Sequence, residues 1–281
     1  MTYECILIPI DPAAEAPATL GAAIRLAHDF EAQLIGIYLD HLPEMAPSVA
    51  ALLPQEIVEQ YLRGGADSQR IAEDHFRQTA AAGGVTDVEW RAPAGPPIDA
   101  LVAHCRCADL IVVSQPQPAE AGWSFSAQLV AAVLLESGRP LLIVPYVGAP
   151  KSVGSNILLA WDGGREATRA MADAMPLFAR ARQVIAVSLD PAAAKRGVDA
   201  PARERLSAYL HRHGVSARVE YDSLGSDDVA VGGWLLSRAA DLGSDLLVMG
   251  GYGHSRWREQ ALGGATRALL AAMTVPVLMA H

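Results

Sequence analysis

Cysteine is scarce in this chain: three in 281 residues, at Cys5, Cys105 and Cys107. An odd count without framework spacing excludes a disulfide scaffold and fits a reducing compartment. Positive charge is also short. Lys and Arg total 22 against 31 Asp and Glu, a net charge of −9. No local basic stripe offsets that balance, and a nucleic-acid surface needs one to neutralise phosphates. No apolar run approaches the roughly 18 residues that spanning a bilayer requires. The opening stretch MTYECILIPIDP has no basic segment and meets an acid after a short apolar run, a poor match to a secretory signal. These absences lead us to expect a cytoplasmic protein with neither a membrane nor a nucleic-acid partner.

What is present is a large apolar fraction, 51% against 19% charged residues. That is ample for packed cores, and the length suits one large domain or two ordinary ones. The chain also repeats itself. The run CILIPID at 5–11 recurs as NILLAWD at 156–162, each ending in an acid, Asp11 or Asp162. AQLIGIYLD at 32–40 recurs as RQVIAVSLD at 182–190, and ADLIVVSQ at 108–115 as SDLLVMGG at 244–251. PLLIVP at 140–145 matches PVLMAH at 276–281, with Pro140 against Pro276. The offset is 151 residues at the first strand and 136 at the last two, and a longer first-half segment around 41–82 accounts for most of the difference. A tandem duplication follows, with domains at 1–148 and 155–281 joined by GAPKSVGS at 148–155.

Each copy alternates β-branched apolar runs with longer stretches of helical period. In the second copy the pattern predicts strands at 156–161, 183–188, 217–221, 245–249 and 275–280, and helices at 165–179, 201–213, 227–241 and 264–273. Strands apolar on both faces and separated by helices imply a parallel sheet covered on both sides. The expected fold is α/β, two tandem doubly wound domains, each with its ligand crevice at the carboxyl ends of the strands.

Residues 249–266, MGGYGHSRWREQALGGAT, leave the fourth strand of the second copy and enter its last helix. The spacing is Gly250-x-x-Gly253, then nine residues, then Gly263. Successive glycines let backbone N–H groups converge on an anion, and a helix N-terminus adds partial positive charge. Neither the Walker A pattern nor the dinucleotide fingerprint is present. Tight strand-to-helix packing is the alternative use of such glycines. Asp162 beside the crevice can accept hydrogen bonds from ribose hydroxyls or cap the helix that follows it.

A tandem pair of five-stranded α/β repeats, each opening with a strand that ends in Asp, resembles the universal stress protein family, and the glycine spacing is that family's nucleotide motif. The resemblance covers the whole chain. It implies strand order 3-2-1-4-5, pairing of the two copies through their last strands as a pseudo-dimer, and bound ATP or another adenine nucleotide. It assigns the nucleoside to Asp162, the base to the end of the second strand at Ser188, and the phosphates to Gly250, Gly253, Gly263, Gly264, Ala265 and Thr266. One departure stands out. The family prefers Ser or Thr directly after the last glycine, and this chain has Gly264, with Thr266 supplying a hydroxyl two residues later.

The first copy has Ser114, Gln117 and Ala127 where the second has Gly250, Gly253 and Gly263, with Pro116 and Pro118 in the same turn. Proline donates no N–H. The first copy is therefore expected to be a scaffold half without triphosphate, its crevice more apolar around Trp123 and Phe125. Cys105-Arg106-Cys107 is spaced C-x-C at a helix end, where i and i+2 do not face each other, so a metal site is not expected there. His254, Arg256 and Arg258 either approach a γ-phosphate or keep the turn soluble, and Trp257 anchors it. No acid lies between Met249 and Trp257 to orient a water, and Glu259 is the nearest. The expectation is a stress-response regulatory protein that binds adenine nucleotide in its second copy. Weak ATP hydrolysis, or partner binding without any ligand, are the alternatives.

Overall fold

The computed structural model describes residues 2–12, 16–39, 52–116, 125–148, 150, 152–188, 199–221, 228–251 and 264–281. The first half runs β1 (Cys5–Ile10), α1 (Pro17–Phe30), β2 (Gln33–Tyr38), α2 (Gln55–Ala82), β3 (Val88–Arg91), α3 (Pro97–Cys105), β4 (Leu110–Ser114), α4 (Phe125–Glu136) and β5 (Leu141–Val144). The second runs β6 (Asn156–Trp161), α5 (Arg165–Asp173), α6 (Met175–Phe178), β7 (Gln183–Ser188), α7 (Asp199–Arg212), β8 (Ala217–Tyr221), α8 (Asp228–Asp241), β9 (Leu246–Gly250), α9 (Gly264–Ala272) and β10 (Val277–Ala280).

All ten strands form one sheet in the order β3-β2-β1-β4-β5-β10-β9-β6-β7-β8. Each half is parallel within itself and has the order 3-2-1-4-5 that the resemblance implies. The halves meet where β5 and β10 pair antiparallel, Ile143 opposite Val277 and Leu141 opposite Met279. That pairing is the pseudo-dimer.

Burial explains why the strands read as continuous apolar runs. β5 and β10 are buried at every position, because helices cover both faces. One apolar layer joins Ile6, Ile8 and Leu34 to α1, Phe76 of α2, Met171 of α5 and Leu206 of α7. The other joins Leu7, Ile35 and Leu247 to α3, α4, α8 and α9. Each layer runs through both halves without a break.

Further contacts tie the halves together. The Tyr3 hydroxyl donates to the Asp173 carbonyl at 2.7 Å. Arg169 donates to the Gly138 carbonyl at 3.1 Å. The Arg180 guanidinium stands 4.9 Å from the centre of the Phe30 ring. The buried Gln115 amide donates to the Leu270 carbonyl at 2.7 Å, and its oxygen accepts from the Tyr146 N–H at 3.3 Å.

Two elements differ from the sequence pattern. The single helix expected at 165–179 breaks into α5 and α6 at Ala174. Pro176 cannot donate to the carbonyl one turn back, and its ring clashes there, so the helical period continues while the hydrogen bonding restarts. The long first-half segment contains α2, 28 residues against 14 in α7. Among its described side chains only Phe76 and Ala80, near its end, are buried in the core.

Candidate functional site

In the second half the chain leaves β6 in one direction along the sheet and β9 in the other. The carboxyl ends of these adjacent strands form a topological switch point, the usual ligand position in open α/β sheets. Asp162 follows β6 directly and is exposed. Its Oδ1 accepts the Gly164 N–H at 2.7 Å, forming a turn just before α5. One carboxylate oxygen thus supports the helix entry. Ser188 ends β7 in register with Trp161, so it sits one strand over from Asp162 at the same edge.

Gly250 ends β9, and its lack of a side chain has a local cause. A methyl built on it would stand 2.6 Å from the Ala167 nitrogen and 2.7 Å from the Glu166 carbonyl carbon. The first turn of α5 lies directly against this backbone. Glu166 carries an ion pair with Arg165 at 3.1 Å and is itself largely covered. Gly251 is tight in another direction, where a methyl would meet Leu134 Cδ2 of α4 at 2.7 Å. Its N–H donates to the Ala280 carbonyl at 2.9 Å.

Gly264 and Ala265 open α9, and Thr266 lies in its first turn, only 4% exposed. Gly253 and Gly263 lie outside the described residues, as do His254, Arg256, Trp257, Arg258 and Glu259. The structure therefore brings Asp162, Ser188 and Gly250 to one edge, and the start of α9 is the next element after β9. Sequence reasoning missed the contact between Gly250 and α5, because spacing along the chain carries no trace of which helix crosses the end of a strand.

The first half fills the corresponding place with side chains. Ser114 ends β4 as Gly250 ends β9, and its hydroxyl shares a 2.8 Å hydrogen bond with Thr19 of α1. Phe125 packs against the α3–α4 layer, while Trp123 lies outside the described residues. The C-x-C pair divides as its spacing suggests. Cys105 is buried, which pushes its thiol up to about 12, and Cys107 is exposed. Among the described residues no group of three or more His, Cys, Asp or Glu is placed to hold a metal ion, and no helix is long and apolar enough to cross a membrane.

Ten strands in two 3-2-1-4-5 halves joined through their last strands define a tandem doubly wound α/β protein. The universal stress protein family profile matches residues 2–145, half of the chain, and the chain belongs to that family. Among solved structures, a universal stress protein from Archaeoglobus fulgidus superposes with a TM-score of 0.69 at 16% identity, over 98% of this chain and 97% of that one. A Pseudomonas aeruginosa protein of unknown function gives a TM-score of 0.58 at 17% identity, over 98% and 92%. No curated protein sequence matches.

Proposed function

We propose that the chain is a stress-response regulatory protein that binds one adenine nucleotide, ATP or ADP, in the crevice of its second half, residues 155–281. The observation that carries this reading is the contrast at the ends of β9 and β4. Gly250 and Gly251 carry no side chain at the end of the strand next to the one that Asp162 follows, whereas Ser114 and Gln115 carry hydrogen-bonded side chains at the matching positions of the first half. On this reading Asp162 receives ribose hydroxyls, Ser188 borders the base, and Gly250, Gly253, Gly263, Gly264, Ala265 and Thr266 surround the phosphates. The N-terminus of α9 supplies partial positive charge. The first half, residues 1–148, serves as a scaffold. Binding rather than turnover is the activity we assign.

Calorimetric titration with ATP tests it directly. At most one equivalent per chain is expected, and two equal sites would overturn the reading. Gly253→Val places a β-branched side chain where backbone should approach phosphate, and should abolish binding with the fold intact. Gly264→Ser adds a hydroxyl at the entry to α9. A well-placed bond to a charged oxygen is worth about 1.5–3 kcal/mol, so ATP should bind at least ten-fold more tightly while AMP gains little.

A second reading has its own support. The close packing of Gly250 on α5 gives that glycine a structural reason to exist without any ligand. A protein acting only through partners would then carry no nucleotide. Chromatography of small molecules released by denaturing the purified protein separates the two, since copurified adenine nucleotide is expected only for the first.

A further inference from the structure

Away from the crevice, a cleft of about 620 Å³ runs along β8, the outermost strand of the second half. Arg203 and Ser207 of α7 form one wall, four residues apart and so on one face of their helix. Arg218 and Glu220 of β8 are two residues apart and share one face of the strand. Arg238 of α8 completes the lining. Helices α7 and α8 cover opposite faces of the sheet, so the cleft wraps its edge.

The charges do not cancel. The Glu220 side chain is 16% exposed and is held by Arg218 Nε at 2.8 Å and by Arg238 at 2.5 Å. One carboxylate therefore faces three guanidiniums. Arg203 makes no ion pair with any described residue, and the Arg218 side chain lines the cleft while 71% exposed. Among the described lining residues three arginines stand against one carboxylate, in a chain whose net charge is −9. Among the described residues β8 pairs with β7 alone, so the backbone N–H groups of its outer edge have no partner strand there.

We propose that this cleft is a second ligand site, separate from the nucleotide crevice, for a compact anion of the phosphate class. Guanidinium forks match phosphoryl oxygens in pairs, and the Ser207 hydroxyl and the strand-edge amides add neutral donors. The volume is within the range of small-molecule sites and exceeds a single orthophosphate, which favours a diphosphate or a small phosphorylated molecule. Glu220 takes no ligand. It fixes two of the guanidiniums in place.

The probe is inorganic pyrophosphate, titrated by calorimetry into the full chain. Saturable binding is expected that weakens with added salt. Arg203→Glu should weaken it at least ten-fold, and Arg203→Ala and Arg218→Ala several-fold. Arg203 has no ion-pair partner among the described residues, so melting temperatures in chloride alone should match the parent. Gly253→Val, which disables the crevice, should leave in place the pyrophosphate binding that Arg203→Glu removes. The proposal is overturned if the parent shows no saturable binding, if the arginine variants bind as the parent does, or if Gly253→Val alone removes the signal.

Discussion

The two halves differ most at a pair of residues that the sequence repeat places in register: Ser114-Gln115 at the end of β4 and Gly250-Gly251 at the end of β9. Their backbones do the same thing, the Gln115 N–H donating to Val144 and the Gly251 N–H to Ala280. The space around them is used in opposite ways. In the first half six residues separate β1 from α1, and the Ser114 and Thr19 hydroxyls bridge strand and helix. In the second only three separate β6 from α5, and the helix presses directly on Gly250. Gln115 reaches across to the Leu270 carbonyl of α9, while Gly251 lets Leu134 of α4 close in. Leu134 and Leu270 are themselves equivalent, so one interface is polar on one side of the pseudo-dyad and apolar on the other. The frame is the same in both halves, and small changes at one strand end decide whether side chains or close-packed helices occupy the space there.

Making the halves alike at these positions should expose the cost of each solution. The largest effect is expected from Gly250→Ser, which copies the first half. The new side chain meets backbone atoms of α5 rather than a movable side chain, so urea unfolding should show a loss of about 3 kcal/mol, the upper part of the range for overpacking. Gln115→Ala comes next. It strands the buried Leu270 carbonyl in the last turn of α9, and about 2 kcal/mol should disappear from the same measurement. Ser114→Gly, which copies the second half, should lose only about 1 kcal/mol with the Thr19 bond. If Ser114→Gly costs more than Gly250→Ser, the two strand ends are not the contrast described here.

The smallest effect concerns the joint at the other end of the sheet. Burial raises the Asp173 carboxyl above its ordinary value, and Arg169 offsets this only in part. A carboxyl raised in the folded state contributes stability that is full below its unfolded value, about 3.9, and is lost as pH rises through the folded value. Compared with Asp173→Asn, the parent should gain relative stability as pH falls from 7 to 4. A stability difference independent of pH would show that the Asp173 charge is not desolvated at this joint.

The strands were legible because each is apolar on both faces and bounded by turn residues: 156–161, 183–188 and 217–221 fall where β6, β7 and β8 lie. The strand order and the pairing of the halves through their last strands follow from the family resemblance, while the antiparallel sense of that joint is visible only in the structure. What the sequence hides is contact across elements. Nothing around Gln115 announces that its amide caps a helix 155 residues away, and nothing around Gly250 names α5 as the neighbour that forbids a side chain. The arginine cleft was overlooked for the same reason. Arg203, Arg218 and Arg238 come from three elements, and no single stretch of chain is basic.

The order of synthesis gives the β5–β10 joint another consequence. Every strand except β10 leaves the ribosome before it, yet β10 takes a place in the middle of the finished sheet, between β5 and β9. Until it arrives, a chain with nine strands made presents the apolar edges of both β5 and β9. Such edges invite pairing with other chains. The nascent protein is therefore most exposed to misassembly between the making of β9 and the docking of β10, and inserting four residues, Val277–Ala280, closes both edges at once.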